Sequence, residues 1–83
     1  MNTRTAVQNR IKQLCKEQGI TPNALSYRAG VPQATIKSIL SNKPEATQNV
    51  GIVTIKKICD GFEISLHKFF DTETFRTLEQ EIK

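Results

Sequence analysis

The sequence predicts an all-α protein: a compact bundle of five short helices, with a helix-turn-helix at helices two and three, followed by a C-terminal helical tail. Three observations carry this. Apolar residues recur at spacings of three and four along most of the chain. Gly19, Gly30 and Gly61 each stand just past such a run, where a helix closes in the left-handed conformation. No stretch alternates well enough for a strand; Val50-Gly51-Ile52-Val53 is the nearest, and a lone strand has nothing to pair with.

The first helix is expected from about Ala6 to Gln18. Thr5 and Gln8 fit a capping box, Val7, Ile11 and Leu14 form the apolar stripe beside Cys15, and Arg10, Lys12, Lys16 and Glu17 fall mostly on the wet side. Thr21-Pro22 starts the second, because Thr caps and Pro at the first helical position lacks only an N–H that would be unpaired there. It runs to Ala29 and ends at Gly30, with Leu25 and Ala29 inward. The third runs from about Pro32 to Leu40 or Ser41, with Ile36, Ile39 and Leu40 on one side and Ala34, Lys37, Ser38 and Ser41 on the other.

Residues 42–51 have loop composition. The fourth helix is expected from about Ile52 to Asp60, with Ile52, Ile55, Ile58 and Cys59 inward, Gly51 or Thr54 as its cap and Gly61 as its terminator. Ser65 starts a short fifth helix, Leu66 to Phe70, that inserts Leu66, Phe69 and Phe70. Asp71 or Thr72 caps a last stretch reaching about Ile82, with Phe75, Leu78 and Ile82 as its apolar spots. The division is a domain over 1–70 and a helical tail over 71–83.

At 83 residues the chain is one small domain that buries about 60% of its unfolded surface, too little for a multi-step enzyme with a deep cofactor cleft. Hydrophobic residues at 37% and charged residues at 24% are ordinary globular composition. The net charge of +4 is uneven. Residues 1–57 carry nine Lys/Arg against two acids, +7, and residues 58–83 carry three against six, −3. The excess favours an anionic partner on the first two thirds.

Cys15 and Cys59 stand in no C-x-x-C pattern and, with His67 as the one histidine, make no metal-ligand set. Both lie in apolar stripes and read as small buried hydrophobes in a reducing compartment. No apolar run approaches the roughly 20 residues that span a bilayer, and nothing resembles a signal peptide, so a cytoplasmic protein without a membrane partner is expected. No paired carboxylates, phosphate loop or H-E-x-x-H motif is present, and neither a catalytic site nor a cofactor is expected.

The informative stretch is 22–41. A helix-turn-helix needs an apolar anchor on its first helix, a small residue where the helices nearly touch, a turn residue tolerant of positive φ, and apolar residues at the right phase on its second helix. Leu25, Ser26, Gly30, and Ile36 with Ile39 meet these needs in order. The string Gly19 to Leu40, with Thr54-Ile55-Lys56-Lys57-Ile58-Cys59 and Ile64-Ser65-Leu66-His67-Lys68-Phe69-Phe70, resembles the helix-turn-helix domains of the phage repressor and Cro family, also called the XRE family, over about residues 7–70. Two departures are a longer loop after the third helix and Asn42 where relatives usually carry Gly.

The resemblance implies that the third helix lies in the major groove of double-stranded DNA. By position, Gln33, Ala34, Lys37 and Ser38 would face base edges: Gln can pair with adenine, Lys can donate to guanine, Ala can touch a thymine methyl, and Ser is permissive. Thr21, Asn23 and the open amides of the second helix's first turn would meet phosphate, as would Arg28, while Lys43, Gln48 and Asn49 would hold the other backbone. The function implied is sequence-specific binding by a small prokaryotic or phage transcriptional regulator, a repressor acting as a homodimer on a palindromic operator. The alternative on the same fold is an antitoxin or other protein-interaction module that holds a protein partner through the acidic tail.

Overall fold

The computed structural model describes residues 2–41, 50–78, 80 and 82. Its elements are α1 (Thr3–Gln18), α2 (Pro22–Ala29), α3 (Gln33–Leu40), α4 (Ile52–Phe62), α5 (Leu66–Phe70) and α6 (Glu73–Arg76), and no strand occurs among the described residues. The all-α expectation, with α2 and α3 as the helix-turn-helix, is what the chain adopts.

α1, α2 and α4 close in one way. The residue after each helix is left-handed: Gly19 at φ 64°, Gly30 at φ 66° and Glu63 at φ 60°. The next amide then reaches back five residues, from Ile20 to the Cys15 carbonyl (2.9 Å), from Val31 to Ser26 (3.1 Å) and from Ile64 to Cys59 (3.0 Å). Each closure turns an apolar side chain inward, with Ile20 and Val31 buried and Ile64 half-buried. At the other end of α2 the Thr21 hydroxyl accepts from the Ala24 amide at 3.1 Å, and Ser65 does the same for Lys68 at 3.0 Å on α5.

The core draws on each of the first five helices. Ile11 of α1, Leu25 of α2, Ile36 of α3, Ile58 and Cys59 of α4, and Phe69 of α5 are fully buried. Each large aliphatic or aromatic side chain removed from water this way contributes about 1.5–3 kcal/mol. α2 packs most extensively on α4. Phe75 of α6 joins the core, its ring 4.9 Å from that of Phe70 in an edge-to-face contact and 6.1 Å from that of Phe69.

Several expectations are corrected. α1 begins at Thr3, not Ala6, because Asn2 caps it by accepting from the Thr5 amide at 2.8 Å; the Thr5–Gln8 capping box does not form. Arg10 is half-buried and engaged rather than wet. Pro32 lies just outside α3 as its cap residue. α4 passes through Gly61 and ends after Phe62, so Gly61 is no terminator. A Cβ built there would stand 3.1 Å from the Ala29 backbone nitrogen and 3.2 Å from its Cα, so Gly61 lets α2 and α4 touch. Ile52 is 60% exposed rather than inward, since the first turn of α4 overhangs the core. α6 stops at Arg76 instead of reaching Ile82, which is 88% exposed and has no core to bury against.

Candidate nucleic-acid interface

α3 buries Ile36 and Ile39 and leaves Gln33, Ala34, Lys37 and Ser38 exposed. Gln33 with Lys37, and Ala34 with Ser38, are pairs four apart, so the four side chains share one face across two turns. A cleft of about 240 Å³ runs beside this face. It is lined by Ala34 and Ser38 of α3, Gly51 and Thr54 at the start of α4, and Arg4 of α1. Gly51, the residue before α4, offers no side-chain cap, and with Thr54 it lines the cleft beside the exposed face of α3.

At the start of α2, Thr21 and Asn23 are exposed together. The open-amide expectation narrows there. Pro22 has no N–H, and the amides of Ala24 and Leu25 go to the Thr21 hydroxyl and carbonyl at 3.1 and 2.9 Å. The Asn23 amide is the first-turn donor that the cap does not engage, and the Thr21 hydroxyl keeps its own hydrogen to donate. Arg28 is not brought together with these two. It lies about 8 Å further along the axis, in a depression shared with Asp60 and Glu63, whose charges oppose its own. Lys43, Gln48 and Asn49 lie outside the described residues.

In the sequence Arg4 stands out only as one of the basic residues and Gln8 only as half of a capping box. The structure gives both another place. The Arg4 Nη2 donates to the Ser38 carbonyl at 2.9 Å, and Gln8 Nε2 donates to the Ser41 carbonyl at 3.1 Å. Their acceptors are more than thirty residues away in the chain, so no local signal could mark them.

Among the described residues no activated nucleophile accompanies the site. Cys15 and Cys59 are free and buried. Burial pushes both thiols above their ordinary value; at Cys59, Lys56 and Arg10 pull the other way while Asp60 adds to the rise. Ser26 is buried too, its hydroxyl donating to the Asn23 carbonyl at 3.1 Å. Among the described residues there is no cluster of three metal-ligating side chains, and no helix is long and apolar enough to cross a membrane.

A family model described as the Cro/C1-type HTH DNA-binding domain matches residues 10–74, from the middle of α1 into α6. The chain is also similar to a solved structure described as the crystal structure of the prophage Lp1 protein 11. The two share 28% identity at a TM-score of 0.78, over 94% of this chain and 100% of that one. No curated protein gives a significant match. With its helix-turn-helix at α2 and α3, an exposed polar face on α3 and a family match over most of its length, the chain belongs to the Cro/C1-type helix-turn-helix family of DNA-binding regulators.

Proposed function

We propose that the protein is a prokaryotic or phage transcriptional repressor that binds a palindromic operator as a homodimer, in the cytoplasm and on the nucleoid. The observation that carries the reading is the split of α3, with Ile36 and Ile39 buried and Gln33, Ala34, Lys37 and Ser38 open on one face. Such a helix can enter a major groove without unfolding anything. In this reading Gln33 and Lys37 supply base-edge hydrogen bonds, and Ala34 and Ser38 shape the contact. Thr21 and Asn23 hold phosphate at the start of α2, with Lys43, Gln48 and Asn49 on the opposite backbone; Arg28, facing Asp60 and Glu63, makes the weakest of these contacts. Two half-sites one helical turn apart, about 34 Å, call for two copies. Phe75 is taken up by its own core, which leaves Leu78 and the exposed Ile82 as the tail's apolar contribution to a dimer.

The test is selection of bound duplexes from a random pool, followed by affinity measurements on the selected and a scrambled duplex. Gln33→Ala and Lys37→Ala should each cost about 1–3 kcal/mol on the selected duplex and relax preference at one base pair per half-site. If both leave base preference intact, α3 is not the reader, and the chain is better understood as a protein-binding module on this fold.

A further inference from the structure

We propose that Arg4 and Gln8 are positioning residues for α3: they hold its C-terminal end from α1 and thereby fix the roll of its exposed face. The inference rests on the reading of α3 as the base-contacting helix.

α3 is eight residues long, about two turns. Its N-terminus has no side-chain cap, and its fully inward anchors are Ile36 and Ile39, both near the middle and end. Apolar contact is non-directional, so these anchors, with half-buried Leu40 beside them and buried Val31 just before the helix, fix its depth more firmly than its roll. Directional bonds at its end hold the roll as well. Arg4 and Gln8, four apart on α1, project from one face of that helix. Arg4 reaches Ser38 with Nη2 at 2.9 Å and Ser41 more weakly with Nη1 at 3.5 Å, and Gln8 reaches Ser41 at 3.1 Å. The Arg4 Nε is covered and finds no acceptor among the described residues, so the outer nitrogens carry the contact. A cation at the carbonyl end of a helix also suits its dipole. Ser38 contributes both the gripped carbonyl and one of the exposed face's side chains, so the grip acts within the reading surface itself. Gln8 is only 4% exposed, which shields its bond from competing water. Hydrogen-bonded recognition needs side chains held to about 0.5 Å and 10–20°, so even a small roll of a two-turn helix matters to it.

The experiment compares parent, Arg4→Lys, Gln8→Met, Gln33→Ala and Lys37→Ala on the selected and scrambled duplexes at one salt concentration, each well below its unfolding midpoint. Arg4→Lys keeps the charge, and so the attraction to phosphate, but loses the two-pronged guanidinium. Gln8→Met keeps the volume and changes no charge. Each should lower the selected-to-scrambled affinity ratio roughly 5-fold, the scale of one lost hydrogen bond or two, with scrambled affinity unchanged. Amide exchange should quicken at Ile39, Leu40 and Ser41 and not at Ile58. An unchanged ratio in both variants, or exchange that quickens at Ile58 as much as at α3, would make the contacts purely structural and overturn the proposal, even where Gln33→Ala lowers the ratio. Should Arg4→Lys fail to fold, Gln8→Met decides alone. If neither Gln33→Ala nor Lys37→Ala lowers the ratio, the reading of α3 fails and the inference falls with it.

Discussion

The Arg10 side chain donates from Nε to the Phe69 carbonyl at 2.7 Å and holds its guanidinium carbon 6.0 Å from the centroid of that residue's ring. Its Nη2 takes the Lys68 carbonyl at 2.9 Å and its Nη1 the Gln13 side chain at 3.0 Å. The same device recurs along α1. Gln18 Nε2 donates to the Phe62 carbonyl at the end of α4 at 3.0 Å, and Arg4 with Gln8 serves the end of α3. The last carbonyls of a helix have no partner within it, and α1 supplies partners to three such ends. Arg10→Met should therefore lower stability by about 2 kcal/mol, the scale of charge-assisted hydrogen bonds. Arg10→Lys should restore only part of it, because one ammonium cannot reproduce the fork. Urea midpoints measure this; a loss below about 0.5 kcal/mol for Arg10→Met would mean that water serves those carbonyls equally well.

The three left-handed closures are not equally relaxed. Gly30 meets nothing within 4 Å of a built Cβ, so Gly30→Ala should cost about 1 kcal/mol through backbone conformation alone. Glu63 bears that strain already at φ 60°. Glu63→Gly should raise stability by about 0.5 kcal/mol, relief of strain exceeding the added entropy of the unfolded chain. Thermal midpoints that move in the same direction for the two variants would contradict this.

Gly61 sits inside α4, where Ala would be the better helix former by about 1 kcal/mol. The 3.1–3.2 Å approach to Ala29 works against that gain. Gly61→Leu should destabilise by about 1–3 kcal/mol, as overpacking does, and Gly61→Ala by less. A Gly61→Leu protein as stable as the parent would show that α2 and α4 can part freely.

Cys15 and Cys59 should react slowly with thiol reagents in the native protein and fast once it is unfolded, since both are buried with raised thiol pKa. The folded thiols keep their protons to higher pH than the unfolded ones. Their contribution to stability is therefore full below the ordinary thiol range, about 8.5, and is lost as pH rises from there through the higher values of the folded thiols, because the unfolded chain ionises first. Comparing parent with Cys15→Ala and Cys59→Ala between pH 7 and about 10 should show a steeper fall for the parent.

Affinity for any duplex should fall linearly on a log–log plot against salt, with a slope of about −0.9 per phosphate neutralised. Lys43→Ala should weaken selected and scrambled duplexes alike and flatten the slope by about one unit per copy. Gln33→Ala should leave the slope unchanged because it removes no charge. Equal slopes for parent and Lys43→Ala would take Lys43 off the phosphate backbone.

Local chemistry along the chain sets the helix starts, the buried faces and most of the closures. Thr21-Pro22 admits a helix start and little else, and the runs through Ile11, Leu25, Ile36 and Ile58 have a phase that only one face of each helix can bury. Gly19 and Gly30 sit where a left-handed residue closes a helix, and they do so. Because those signals fix the order and phase of α2 and α3, Ala34, Lys37 and Ser38 were legible on the open side; Gln33 joined them only through the family resemblance, and Ser41, which phase placed with them, is half-buried. Where two local signals competed, tertiary contact decided. Gly61 carries the same composition signal as Gly30, yet it lies inside α4, where a Cβ would stand 3.1–3.2 Å from Ala29, and the left-handed closure falls on Glu63 instead. Thr5 and Gln8 match a cap, yet Asn2 takes that place and Gln8 turns to α3. Phe75, Leu78 and Ile82 share a helical spacing, but α6 continues only as far as it has a core to cover. The partners of Arg4, Arg10 and Gln18 are backbone carbonyls, which every residue carries alike. Which carbonyl a side chain meets depends on where distant helices end in space, and periodicity holds no record of that.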